Sequence, residues 1–395
     1  MECWKDDKIY KSFKDTYKIV AFMMTVGMIY PNPKNIKLRI TVILFVLLST
    51  APMCFIILVD IYNSFWRRDI FNIIRHSTIV GPFFGGLLKM FIMLYKTDTA
   101  KALMDEIDKD YQKFCKLPKN YTKIIDIRIA DNIFYSEKCW VLTVVTCTMV
   151  FPGTAVVTTI YNCLFSDCQK VMIHEVAIPY IELETNYQTP VYEPMFVYQL
   201  YICAIFIVTF VGLDGFFGLC VNHACLKMEL YCKAVEEALG GDDEVMMRNA
   251  VVEVIREQNR TARYTELIQE TFNIWLGIIL LATMIQIGTC MFKLIEGGDM
   301  DFKYIVFTIG IIIHIYLPCR YSAKLKDMST DTATLIYCSG WEHVPSKTIR
   351  RMILFMIARA QIPTEITAIN ILIFDMNLFV RIMNSSYSMY TLLRS

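Results

Sequence analysis

Residues 40–59 read ITVILFVLLSTAPMCFIILV, a stretch without a single charge. As a helix it is about 30 Å long, the thickness of a bilayer's hydrocarbon core. With no polar face to turn to water, it belongs in lipid. Residues 140–160, WVLTVVTCTMVFPGTAVVTTI, repeat the pattern, again without charge. Working outward, further apolar runs place spans at about 40–60, 70–95, 138–160, 195–220, 271–293, 303–321 and 366–392. The second carries Arg75, His76 and Lys89, the fourth Asp214, and the last Asp375 and Arg381. The sixth apolar run, 304–317, is short, contains His314 and needs the polar stretch around Pro318 to reach across. The fold expected is all-α: a polytopic membrane protein with seven transmembrane helices in a single domain over residues 1–392.

Composition agrees. Of 395 residues 55% are apolar and 19% charged, against about 25% charged in an ordinary soluble domain. The net charge of +1 offers no global basic field to hold a nucleic-acid backbone, so no nucleic-acid partner is expected. The 14 cysteines are too dilute for a disulfide scaffold and sit mostly inside apolar runs, as small core residues do.

Orientation follows from the basic residues. The segments 1–37, 96–139, 221–271 and 318–361 hold 29 Lys and Arg, whereas 61–69, 161–194, 293–303 and 393–395 hold 6. The positive-inside rule then places the N-terminus in the cytoplasm and the C-terminus outside. Residues 1–37 lack the apolar core of a cleavable signal, so the first span is read as the insertion signal.

Segment 161–194 is acidic and proline-rich, with Asp167, Glu175, Glu182, Glu184 and Glu193 against Lys170 and with Pro179, Pro190 and Pro194. It reads as an extracellular cap loop. Cys163 and Cys168 lie in it and are either bridged in an oxidising space or two free thiols near lipid. Residues 221–270 read as a cytoplasmic helix hairpin broken at Gly240-Gly241-Asp242-Asp243.

Catalytic signatures are absent: there is no phosphate-binding G-x-x-x-x-G-K-[ST], no G-x-S-x-G and no H-E-x-x-H, and the five histidines are scattered. Neither an enzyme nor a cofactor is expected. Cys220, His223, Cys225 and Cys232 resemble metal ligands in type. On one helix, however, Cys225 points about 140° from Cys220 and the set cannot converge.

The last span is the informative one. Counting from Asn370, the residues Asn377, Arg381, Asn384, Ser388 and Leu392 fall at about 340°, 20°, 320°, 0° and 40° around a helix. This narrow stripe is costly against lipid. Two readings stand: interhelical hydrogen bonding, or a water-filled path lined by this helix and closed near its outer end by an apolar residue such as Leu392, which gates by dewetting. One helix encloses no pore, so the second reading requires several copies around an axis.

The stretch Tyr337-Cys338-Ser339-Gly340-Trp341, then Arg350-Arg351, then Arg359-Ala360-Gln361-Ile362-Pro363, and finally Asn384-Ser385-Ser386-Tyr387-Ser388 through Leu392-Leu393 strongly resembles the C-terminal signature of the insect odorant receptor family. The resemblance implies an odorant receptor subunit, multi-pass in the plasma membrane of olfactory neuron dendrites. Such a subunit binds a small volatile ligand, odorant or pheromone, and gates a non-selective cation channel as a heterotetramer with a shared olfactory co-receptor. The modest 221–270 hairpin resembles that of a ligand-specific subunit, since the co-receptor carries a long insertion there. By the same resemblance residues 346–360 are a cytoplasmic subunit-contact helix, Leu392 matches the gate, and Ser388, Asn384 and Asn377 line the pore. The ligand pocket is expected in the outer half of spans two, three, four and six. Candidates there are Ile79, Phe83, Thr146, Met149, Val150, Phe196, Gln199, Cys203, Tyr304, Phe307 and Thr308, each equally readable as core or lipid-facing. Alternative classes are a G-protein-coupled receptor, which the charge asymmetry disfavours, another chemosensory (gustatory-like) membrane receptor, and a transporter, for which no internal repeat is visible.

Overall fold

The computed structural model describes residues 10–165, 168–178, 185–241, 243–297 and 301–394. Asp167, Pro179, Glu182 and Glu184 of the cap segment, Asp242 of the hairpin turn and residues 1–9 lie outside them. The fold is helical. Two short helices, α1 (Phe13–Thr16) and α2 (Lys18–Val26), precede α3 (Ile36–Arg67), α4 (Ile70–Tyr95), α5 (Thr97–Phe114) and α6 (Lys119–Asp131). A π-helical stretch, Asn132–Cys139, joins α6 to α7 (Trp140–Phe165). Then come α8 (Tyr192–Leu239), α9 (Glu244–Glu296), α10 (Phe302–Tyr337), α11 (Lys347–Ala360) and α12 (Met376–Arg394).

Among the described residues six helical segments are long and apolar enough to cross a membrane: those of α3, α4, α7, α8, α9 and α10. Four of them run well past the expected spans, because polar turns continue the apolar ones without a break. α8 and α9 form one continuous antiparallel pair that stops at Leu239 and restarts at Glu244, where the Asp243 side chain accepts from Val245 N at 2.8 Å. α8 is the axis of the fold, with Val211 through Met228 buried almost without interruption. Against it lies α2, its Val20, Ala21 and Met24 buried. The aromatic and lysine alternation of residues 1–37 therefore hides a packed element.

The seventh expected span, 366–392, is corrected. Its first ten residues are no helix but a two-stranded hairpin, β1 (Thr367–Ala368) and β2 (Leu372–Ile373), paired Thr367 to Ile373 and Ala368 to Leu372. Ile369 and Asn370 both take left-handed backbone, φ 53° and 56°, as a tight hairpin turn demands. The turn is held from α9. Gln269 Oε1 accepts from Thr367 N at 2.8 Å, and Asn273 Oδ1 accepts from Asn370 N at 2.9 Å. One turn on, Gly277 leaves room for Ile369, since a Cβ there would lie 2.3 Å from Ile369 Cγ1. Three residues four apart on α9 thus hold a turn that a β-branched residue alone resists. What remains is α12, 19 residues, about 28 Å long at 1.5 Å per residue.

α11 stands on the exposed end of the bundle with Ile349, Ile353, Met356 and Ile357 buried, and Gln258 of α9 donates to Met356 O at 3.2 Å. His223 pairs with a carboxylate: its Nε2 lies 3.0 Å from Asp110 Oδ2, which also takes Lys227 at 2.5 Å.

Candidate functional site

Two apolar cavities of about 70 and 80 Å³ lie side by side between the helices. The first is walled by α3 (Thr50, Met53, Ile57), by α4 (Ile79, Phe83), by the cap segment (Ile173, His174) and by α8 (Gln199, Cys203). The second is walled by Pro82 and Phe83 of α4, Cys147 and Phe151 of α7, Phe206 of α8 and Phe307 of α10. Ile79, Phe83, Ile173, Ile202 and Cys203 line both, so the same side chains form the partition between them. A smaller cavity of about 40 Å³ continues past Phe206 to Trp140 and His314. Walls of this kind bind by burial, at about 25 cal/mol per Å² of apolar surface, with few polar groups to orient a guest.

Pro82 shapes the α4 wall. It has no N–H to give to Thr78 O, and Gln286 of α9 supplies the missing donor at 3.2 Å. A proline beside a cavity is thereby tied to the neighbouring helix.

Of the residues expected to meet ligand, Ile79, Phe83, Gln199, Cys203 and Phe307 line these cavities. The other six do not. Tyr304 is buried edge-on against Phe151, ring centres 5.9 Å apart, and Val150 packs into the same cluster. Phe196 packs on Tyr192, and the Thr308 hydroxyl donates to its own helix at Tyr304 O. Thr146 and Met149 lie on the exposed face of α7. The inward face of α7 is Cys147, Thr148 and Phe151 instead. Nothing in TVVTCTMVF sets the phase of that helix, because Thr, Cys and Val suit lipid and core alike. α3 and the cap segment were missed as walls. His174, the one histidine of the cap segment, was the available signal for the latter.

Over the first cavity lies a buried polar chain. Asp60 Oδ2 sits 2.9 Å from His76 Nε2, and His76 Nδ1 sits 2.9 Å from His174 Nε2. Asp60 also accepts from Ala177 N at 3.1 Å and Asn72 Nδ2 at 3.2 Å. The His174 backbone is clamped by Gln199, whose Nε2 donates to His174 O at 2.8 Å and whose Oε1 accepts from His174 N at 3.0 Å. Outside this chain Arg75 pairs with Glu175. Burial, then the neighbouring His76 and Arg75, drives the His174 pKa well below its ordinary value, so the ring is neutral. A second polar cluster lies deeper, where Lys89 Nζ is 2.7 Å and His314 Nε2 2.8 Å from Asp214 Oδ2.

On α12 the buried face is Leu378, Ile382, Ser386 and Tyr390, seated against α9. The stripe Asn377, Arg381, Asn384, Ser388 and Leu392 lies on the opposite side and is exposed throughout, Leu392 at 68%. Asn370 belongs to the hairpin turn and leaves the stripe. The Cys163 and Cys168 sulfurs lie 2.08 Å apart.

A family model described as 7tm Odorant receptor matches residues 69–387. The chain is 21% identical to Odorant receptor 10 of Aedes albopictus over 88% of its own length and 90% of that protein's. With Odorant receptor 13a of Drosophila melanogaster it shares 24% identity over 52% of its length, and with Odorant receptor 85f 28% over 37%. It spans only 53% and 38% of those two fruit-fly relatives. The backbone superposes on the olfactory receptor OR5 of Machilis hrabei, solved in complex with eugenol, with a TM-score of 0.75 at 14% identity, covering 96% of this chain and 99% of that one. A membrane protein with this helix order and a match across most of its length, the chain belongs to the 7tm Odorant receptor family.

Proposed function

We propose that this chain is a ligand-specific subunit of an odorant-gated, non-selective cation channel, assembled as a heterotetramer with the olfactory co-receptor in the plasma membrane of olfactory neuron dendrites. α12 is its seventh span, the N-terminus lies in the cytoplasm and the C-terminus outside. A small volatile molecule occupies the paired cavities, Cys163 and Cys168 are bridged, and α11 meets the neighbouring subunit. The observation that carries the reading is the polar stripe of α12, which turns away from the chain's own core while the opposite face is packed against α9. Four polar groups disposed this way against lipid would be costly, and around a shared axis they line a path for water and ions. Leu392 near its outer end closes that path by dewetting.

The test is whole-cell current from cells expressing the chain with the co-receptor under a panel of volatiles. Ligand-evoked cation current is expected, and Leu392→Ala should raise the ligand-free current. Surface expression with no evoked current from the panel and no effect of Leu392→Ala refutes the reading. A tag after Ser395 reached by antibody only in permeabilised cells refutes the orientation.

A further inference from the structure

We propose that His174 makes the outer end of the first cavity a hydrogen-bond-accepting subsite, selective for small apolar molecules that carry one hydroxyl; this rests on the odorant-binding reading above. The proton order of the buried chain is the argument. Asp60 takes a fixed donor on each oxygen, Asn72 Nδ2 on Oδ1 and Ala177 N on Oδ2, as suits an ionised carboxylate, which only accepts, with His76 Nε2 2.9 Å from Oδ2. The proton between them therefore sits on His76 Nε2. A neutral imidazole has one proton, so His76 Nδ1 accepts, and its partner at 2.9 Å, His174 Nε2, donates. The proton of His174 is spent there. Its Nδ1 is left as a lone pair, without a partner among the described residues.

Among the described lining residues the rival acceptor is the Thr50 oxygen, which is only 1% exposed. The Thr50 hydroxyl donates to Val46 O at 2.6 Å on its own helix. Both ends of the Gln199 amide are taken up by the His174 backbone. His174 itself is 8% exposed and lines the cavity, whose remaining walls are aliphatic, aromatic or thiol. A hydroxyl satisfies the nitrogen, whereas a ketone or ether brings a second acceptor against it and leaves both unpaired.

Cells expressing the chain with the co-receptor are tested with alcohols of straight, branched, terpenoid and aromatic skeletons, each paired with the ketone or methyl ether of the same skeleton. Alcohols should act at half-maximal concentrations at least about tenfold lower. Equal potency across the pairs overturns the proposal without any variant. Ketones outperforming alcohols overturn it too, since the proton chain then runs the other way. His174→Phe keeps the two backbone bonds to Gln199 and should reduce the ratio to within about threefold while currents to ketones persist. A retained alcohol preference in that variant overturns the assignment. No current from any pair overturns the subsite, and only when joined to surface expression, silence to the wider volatile panel and no effect of Leu392→Ala does it refute the receptor reading, which separates the two failures.

Discussion

Removing the Lys89 ammonium should destabilise the bundle more than removing Lys89 and Asp214 together. Lys89 Nζ lies 2.7 Å from Asp214 Oδ2, with the two side chains 4% and 6% exposed, and it sits 3.2 Å from the centre of the Phe210 ring. At an effective dielectric of about 20 the pair attracts by about 6 kcal/mol before desolvation is counted. The ring contact adds up to about 2 kcal/mol where water is excluded. Lys89→Met leaves Asp214 with His314 as its one partner, and its Oδ1 already has none among the described residues. Breaking a buried pair from one side costs about 3–5 kcal/mol, whereas replacing both partners by apolar groups of similar volume is often neutral. Unfolding of the purified protein by titration with a denaturing detergent should therefore rank Lys89→Met well below wild type. The double variant Lys89→Met with Asp214→Leu should recover most of the loss. A single variant as stable as wild type, or a double variant worse than the single, refutes the reasoning, because either result means the carboxylate is not stranded by loss of the lysine.

Three further outcomes are expected. Gly277→Ala drives a methyl into Ile369 at 2.3 Å and should cost about 1–3 kcal/mol by overpacking, while Gly153→Ala, with nothing within 4 Å of the new carbon, should be neutral or slightly stabilising in the same titration. Burial raises the Asp110 pKa, but the hydrogen bond from His223 and the charge of Lys227 outweigh it and hold the carboxyl at about 2 against an ordinary 3.8. Its contribution is thus fully present above about pH 4 and lost as pH falls toward 2, a change of about 2 kcal/mol that Asp110→Asn should erase from the acid-unfolding curve. If α12 lines the pore, Arg381 raises the barrier to cations by its local potential. Arg381→Gln should then raise single-channel conductance by about twofold or more, whereas unchanged conductance places Arg381 off the pathway.

Helix identity was legible because a 20-residue apolar run has few other uses, and the α12 stripe was legible because polar groups at i, i+4 and i+7 fix a phase. Where a helix offers no such contrast, phase is lost: on α7 the reading chose Thr146 and Met149, and the fold turns in Cys147 and Phe151. The hairpin at 367–373 was hidden for another reason. TAINILIF has the apolar density of a span, and its turn depends on Gln269 and Asn273, about a hundred residues earlier in the chain. The polar chain over the first cavity was invisible likewise, since Asp60, His76, His174 and Gln199 come from four separate segments. Local periodicity reports which face is polar, while partners that fold from afar decide what the polar groups do.

α9 is the element that joins the cavity wall to α12. Its Gln286 donates to Thr78 O at the proline that shapes the cavity wall. Two residues on, a Cβ at Gly288 would lie 2.9 Å from Met389 Cγ of α12. One short segment therefore touches both regions, with only the Met389 side chain and the Ser386 carbonyl of α12 against α9 at Gly288. Lying between two sites does not couple them; coupling requires that both bias one arrangement of the segment. Gln286→Leu removes the donor to α4, and Gly288→Ala wedges α9 from α12. Each should lower the maximal ligand-evoked current several-fold while shifting ligand affinity, measured by competition binding, by less than about threefold. If the segment moves as a unit, the double variant loses less than the two losses combined, departing from additivity by more than about 0.5 kcal/mol. Additive losses accompanied by equal shifts in binding would mean that Gln286 merely holds the cavity wall and Gly288 merely seats α12, and the path from odorant to gate would have to run through other contacts.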